Sequence, residues 1–233
     1  MPTPNLRTLV GTPATKIGTF LFEFTTPGIG QILKAAGAEY AVLDMEHTGF
    51  SFDTVRSVVR YLQAADLPSI VRVPSQSRHH ISRALDTGAD GVMVPIVSSV
   101  EQAKAVLGVI LLEMNRPEDA LPCLREALDA DPRRASCARA LGVALERTGD
   151  FAGAAAVLAQ ATRHSPGDVG LRTAAIMLAM RQRMFDRAAD LAETARREGV
   201  ADACVFGLRG HALSSLGRHD EANLAYAEAL KLA

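Results

Sequence analysis

The sequence predicts an α/β segment joined near Val106 to an all-α solenoid of about four helix pairs, and three observations carry that reading. Over the first hundred residues, short apolar strands alternate four times with helical stretches, the pattern of βα units. From Gly108 onward the chain resembles itself every 34 residues. No Pro-, Gly- or Ser-rich run separates the two patterns, so one helix is shared across the junction.

Ile17–Phe24 combines aromatic and β-branched residues, as a strand requires, and Pro27 and Gly28 stop it before a helical stretch over Gly30–Ala36. Tyr40–Asp44 is a second apolar strand. The stretch Phe52–Ala65 that follows carries Val55, Val58, Val59 and Leu62 at helical spacing, with Ser51 or Asp53 as its cap. Ser69–Val73 with the helix Ser77–Asp86 makes a third unit, and Gly91–Val94 with a helix starting near Ser99 makes a fourth. Four consecutive units of this kind imply a parallel sheet.

Polar residues gather where the strands end: Asp44, Glu46 and His47 after the second, Arg72 near the end of the third, Pro95 after the fourth. In a (β/α) barrel that end is the active face. Arg72 shares a strand face with Ile70, and a charge aimed into a barrel needs an anionic partner. That partner is either a ligand or, structurally, Asp44 or Glu46. His47 is equally open between a hydrogen-bonded loop residue and a proton carrier beside two carboxylates. The consecutive His79 and His80 cannot share one helix face and read as surface or capping residues.

The segments Val42-Leu-Asp-Met-Glu-His47, Ile70-Val-Arg-Val-Pro74 and Leu85-Asp-Thr-Gly-Ala-Asp-Gly-Val-Met-Val-Pro95 resemble, in order, those of the metal-dependent 4-hydroxy-2-oxoheptanedioate aldolases, relatives of citrate lyase β. The resemblance spans about residues 16–105 and implies a truncated (β/α)8 barrel occupying 1–106. It further implies that His47 moves protons during carbon–carbon cleavage with Asp44 beside it, and that Arg72 holds the oxygens of a 2-oxo acid. The family takes its divalent metal on a glutamate and an aspartate from later strands, which do not follow the fourth unit here. The helical setting of Glu113 and Glu118 gives no reason to place them at that site. No cofactor is therefore expected, with Mg²⁺ or Mn²⁺ entering only if the chain is a carbon–carbon lyase whose site a second chain completes.

The remainder, 107–233, is periodic. Gly108, Gly142 and Gly210 share one position, with Ile176 the exception, and Leu111, Leu145 and Leu213 share another, with Ala179 the exception. Alanines align at Ala120, Ala154, Ala188 and Ala222 and again at Ala127, Ala161, Ala195 and Ala229; Leu124, Leu158, Ala192 and Tyr226 lie between them. With Pro132 and Pro166 closing the first two units, the spacing resembles the tetratricopeptide repeat, in which small residues let antiparallel helices approach. The alternative is a chance alanine-rich bundle. The third copy departs furthest.

Tetratricopeptide arrays bind extended peptides along a groove lined by the first helix of each repeat. The resemblance therefore implies an unidentified peptide or protein as partner, met by Val109, Leu112, Arg139, Val143, Met177, Met180 and His211. The lysine and asparagine set that clamps C-terminal carboxylates in chaperone-binding relatives is absent, which favours a partly apolar partner. Met177 and Met180 are alternatively core residues.

Composition narrows the rest. Lys and Arg nearly balance Asp and Glu, at 25 against 26, and both halves split evenly, so nucleic acid is not an expected partner. Met1–Val10 lacks the apolar core of a secretory signal, and no apolar run reaches the roughly 18 residues of a membrane span. Cys123, Cys137 and Cys204 form no close pair and read as thiols in a reducing cytoplasm. A half-barrel would leave open edges and the inward positions Leu21, Val42, Ile70 and Val92, or their strand neighbours, uncovered. Self-association, coverage by the repeats and partial disorder are the outcomes left open. Lys104 stands at a repeat position that is usually apolar, and the last repeat is expected to lack a capping helix after Ala233. The function expected is a non-catalytic protein-binding scaffold carrying an incomplete aldolase-like half-barrel, with an artificial or mis-assembled fusion as a further origin for the missing linker and cap.

Overall fold

The computed structural model describes residues 6–232. The start of the Met1–Val10 segment and the terminal Ala233, on which the signal and capping expectations partly rest, lie outside the described residues. The chain divides into two compact units that part between Ser99 and Val100.

In the first unit, β1 (Gly18–Leu21), β2 (Tyr40–Asp44), β3 (Ser69–Arg72) and β4 (Gly91–Met93) form one sheet in sequence order. All three pairings are parallel. A short α1 (Leu6–Val10) precedes the sheet, and α2 (Ile29–Ala35), α3 (Phe52–Ala64) and α4 (Arg78–Leu85) connect the strands. β1 is shorter than the apolar run Ile17–Phe24 because only Gly18–Leu21 find partners on β2; Phe22 and Phe24 are exposed. Ser51 rather than Asp53 caps α3, its hydroxyl accepting from the Thr54 amide at 3.1 Å.

Register assigns the two faces. Leu21, Leu43, Val71 and Val92 pair side by side, as do Phe20, Val42, Ile70 and Gly91. Ala41, Leu43 and Val71 are fully enclosed together with Val55, Val59 and Leu62 of α3, so theirs is the helix-covered face. Of the four residues read as inward, Val42 and Ile70 therefore lie on the opposite face with Asp44 and Arg72, whereas Leu21 and Val92 lie on the helix side. The open face is not bare: a Cβ on Gly91 would stand 2.7 Å from the Leu6 Cδ2 atom of α1.

The second unit is four helix pairs: α5 (Val100–Glu113) with α6 (Pro117–Ala130), α7 (Ala135–Arg147) with α8 (Phe151–His164), α9 (Val169–Arg181) with α10 (Phe185–Arg197), and α11 (Ala203–Ser215) with α12 (His219–Leu230). α5 runs unbroken through Val106. Each pair closes where the sequence places a small residue against a larger one. A Cβ on Gly108 would meet Leu124 at 2.5 Å, one on Gly142 would meet Leu158 at 3.2 Å, and one on Gly210 would meet Tyr226 at 2.6 Å. The third pair inverts the arrangement, with Ile176 standing where the glycines stand and Ala192 where the larger residues stand, both fully enclosed in one cluster. What reads as degeneracy in the sequence is thus an exchange of large and small across one contact.

Candidate functional site

In the first unit, the residues read as an active face converge at the C-terminal strand ends. Parallel register sets Asp44 beside Arg72 on one face. Nε of Arg72 donates to Oδ1 of Asp44 at 2.9 Å and Nη2 to Oδ2 at 2.5 Å, a two-pronged guanidinium–carboxylate contact. Nη1 of Arg72 stands 3.3 Å from Oε2 of Glu46, and the guanidinium lies 5.1 Å from the centre of the Phe20 ring. Asp44 is fully enclosed and its Oδ1 also accepts the amides of Glu46 at 2.8 Å and His47 at 3.3 Å. Burial by itself would raise the Asp44 carboxyl, but Arg72 and these amides outweigh it and hold the group below the usual carboxylate range. The same contact holds the Arg72 guanidinium above its ordinary value.

His47 stands apart from this pair. Its side chain is 64% exposed, and Nε2 lies 3.6 Å from Oε2 of Glu46. Of the two other histidines of this unit, His79 is exposed and His80 is half-buried, its Nδ1 hydrogen-bonded to the Ser75 hydroxyl at 2.9 Å.

These residues do not fit a divalent metal. Both carboxylate oxygens of Asp44 are engaged by Arg72, Glu46 faces Arg72 and His47, and no group of three His, Cys, Asp or Glu side chains converges among the described residues.

In the second unit, Val109, Val143, Met177 and His211 occupy one position on the four first helices, 34 residues apart. Val109 and Val143 are half-buried; Met177 and His211 are exposed. Met180 is half-buried. Leu112 is fully enclosed and belongs to the core, not to an accessible groove. Arg139 is paired with Asp168 at 3.3 Å.

This side also carries ties between consecutive repeats that sequence reading missed. Arg147 donates to the Leu112 carbonyl at 2.7 Å, and Arg181 reaches back with its guanidinium to Glu146 of α7. The available signal was the recurrence of arginine 34 residues apart at 147 and 181. Elsewhere Cys137 is buried, its thiol pushed up to about 11 by desolvation, and Cys204 is exposed.

Residues 16–116 match the family model of HpcH/HpaI aldolase/citrate lyase, and residues 106–169 and 205–233 match tetratricopeptide repeat models. Neither kind of match covers half of the chain, whose first part is similar to HpcH/HpaI aldolases and whose second part is similar to tetratricopeptide repeats. The two kinds of match overlap at 106–116, at the end of α5 and just beyond. The aldolase segment is 32% identical over 94 residues to 2-dehydro-3,6-dideoxy-6-sulfogluconate aldolase of Pseudomonas putida, covering 40% of this chain and 36% of that protein. It is 39% identical over 75 residues to hydroxypyruvate/pyruvate aldolase of Paraburkholderia phytofirmans, covering 31% of this chain and 29% of that one. The chain thus spans about a third of the length of these curated relatives. A crystal structure of MamA superposes with a TM-score of 0.50 at 17% identity, over 66% of this chain and 85% of that one, which shows the fold alone.

Proposed function

We propose that the chain is a protein-binding scaffold acting through the first-helix side of its tetratricopeptide repeats, with the aldolase segment carried as a non-catalytic half-barrel. The observation that supports binding is the row of Val109, Val143, Met177 and His211, which repeats with the helices and leaves Met177 and His211 accessible. Such a row fits an extended, partly apolar peptide laid across successive helices. The non-catalytic reading rests on the engagement of Asp44. Its two oxygens and two prongs of Arg72 satisfy each other, so neither is free to orient a 2-oxo acid, and among the described residues nothing beside them supplies the electrophile that enolate formation requires.

The second reading, a metal-dependent lyase acting on a 2-oxo acid, is favoured by one feature. Asp44 and Arg72 do meet at the C-terminal strand ends, where barrel enzymes place their chemistry, and His47 follows Asp44 by three residues. In this reading a second chain supplies the metal carboxylates, and Mg²⁺ or Mn²⁺ is required.

Two assays separate them. On an array of random extended peptides, the full chain should retain a set rich in apolar residues, and Val143→Glu with Met177→Glu should abolish that retention while leaving the helical dichroism intact. A retained set unaffected by the pair of substitutions sinks the groove assignment. Incubated with a 4-hydroxy-2-oxo acid and millimolar Mg²⁺ or Mn²⁺, the chain should release no pyruvate. Metal-dependent release that disappears in His47→Ala or Arg72→Ala establishes the lyase instead.

A further inference from the structure

The second unit has another recess, away from Met177 and Met180. α8, α9 and α10 enclose a pocket of about 290 Å³ whose floor includes Ala175, Ala179 and Leu191. Thirty-four residues earlier, Leu141 and Leu145 stand where Ala175 and Ala179 stand, and they line the corresponding gap of about 550 Å³ among α6, α7 and α8.

The charged groups at the two gaps differ in sign. The earlier gap is bordered by Arg125, Asp129 and Asp150. In the later one, Arg163 replaces Asp129, Arg187 replaces Gly153, and the bordering charges are Arg163, Arg172, Arg187 and Glu198. Arg172 is 8% exposed; its Nε and Nη2 donate to the Pro166 carbonyl at 3.1 and 3.0 Å, and Nη2 also meets Glu198. Its Nη1 takes no part in these bonds. Arg163 and Arg187 are exposed and make no hydrogen bond or ion pair among the described residues. An apolar recess thus lies between two unpaired guanidinium groups, one on α8 and one on α10.

We infer that this pocket receives a bulky apolar side chain of an acidic peptide segment, whose carboxylates on either side of that side chain pair with Arg163 and Arg187. Apolar burial on the alanine floor supplies the anchor, and the two arginines, on separate helices, select for anions flanking it. A peptide with acidic residues on both sides of an aromatic one offers that layout. The surface is distinct from the first-helix row, so the array would be engaged on two sides and either assignment can fail without the other.

The test is fluorescence anisotropy of the full chain with a labelled peptide that has one Phe between two Asp on each side. Ala175→Leu and Ala179→Leu place the leucines of the second repeat in the cavity, and Arg163→Asp restores the acidic residue of that repeat at an exposed site. Saturable binding is expected, weakened at least tenfold by each of these changes. It should be lost when the peptide's Asp residues become Lys or its Phe becomes Ala, reduced by added salt, and unchanged by Met177→Glu. Circular dichroism verifies that each variant is folded, and the exposed Arg163→Asp remains informative if a leucine variant is not. No saturable binding to the folded chain, binding indifferent to Arg163→Asp, or binding lost in Met177→Glu and retained in the pocket variants overturns the proposal.

Discussion

Asp44 illustrates how one side chain settles between structural and chemical roles. It is fully enclosed, it meets Arg72 by two bonds, and it closes the turn after β2 through two backbone amides. Removing one partner from such a pair leaves the other charge under-compensated, which costs about 3 kcal/mol. Asp44→Asn should therefore speed hydrogen exchange of the β2 and β3 amides by roughly a hundredfold, and unchanged protection would refute a structural role. Glu193 of α10 gives a test by pH. Its pKa is lowered to about 2, first by hydrogen bonding to Arg196; burial, the next largest effect, opposes this, and Arg197 and nearby Arg209 add to the lowering. A depressed carboxyl stabilises the fold fully above the unfolded-state value, and this contribution fades as pH falls from there through the folded value. The melting temperature of the chain should exceed that of Glu193→Gln at pH 7, and the gap should close between about pH 4.5 and 2. A gap independent of pH would rule out the ionised carboxylate as its source.

At the level of elements, the helix pairs are governed by one contact between a small and a large residue. In the third pair Ile176 and Ala192 exchange those roles, so their substitutions must be coupled. Ala192→Leu alone overfills the contact and should cost about 1–3 kcal/mol. Ile176→Gly alone leaves a cavity and adds a helical glycine, for roughly 4 kcal/mol. Together they recreate the Gly142–Leu158 arrangement, and chemical denaturation should show a double variant at least about 1 kcal/mol more stable than additivity predicts. Strict additivity would mean that the two side chains do not meet. The turns between paired helices carry a second repeating constraint. Asn115, Gly149, Arg183 and Gly217 share one repeat position and all have positive φ, at 56°, 86°, 59° and 77°. Glycine and asparagine adopt that conformation readily, whereas arginine is strained there. Arg183→Gly should stabilise the array by about 0.5–1 kcal/mol, seen as a higher denaturation midpoint, and a loss of stability would show that the Arg183 side chain contributes more than its backbone costs.

For the molecule as a whole, the two units differ in how locally they are stabilised. Each first helix of the array packs on its own partner and on the first helix of the next repeat, so the interactions run between neighbours in sequence. A fragment of residues 100–233 should fold by itself with strong helical dichroism, and a largely unfolded spectrum would refute the division of the chain. The parallel sheet instead joins strands separated by whole helices, and on the face opposite those helices Phe20 and Met93 are 38% and 37% exposed. This unit should be the first to exchange and the first to be cut by protease.

The sequence by itself determined the kinds of element and their order. Strand and helix periodicities, the 34-residue recurrence and the three aldolase-like segments are all local patterns, and each corresponds to an element or a family match. The gathering of Asp44, Glu46 and Arg72 was legible as positions at strand ends. Which of them would meet was left to register, because the pairing of Asp44 with Arg72 joins residues 28 apart across two strands. Likewise Leu112 shares the helical spacing of groove residues, and only packing shows it enclosed. The exchange of Ile176 and Ala192 and the alanine-floored pocket depend on side chains from different helices filling, or failing to fill, the same volume. A one-dimensional pattern records what each position offers; complementarity across an interface exists only once both sides are in place.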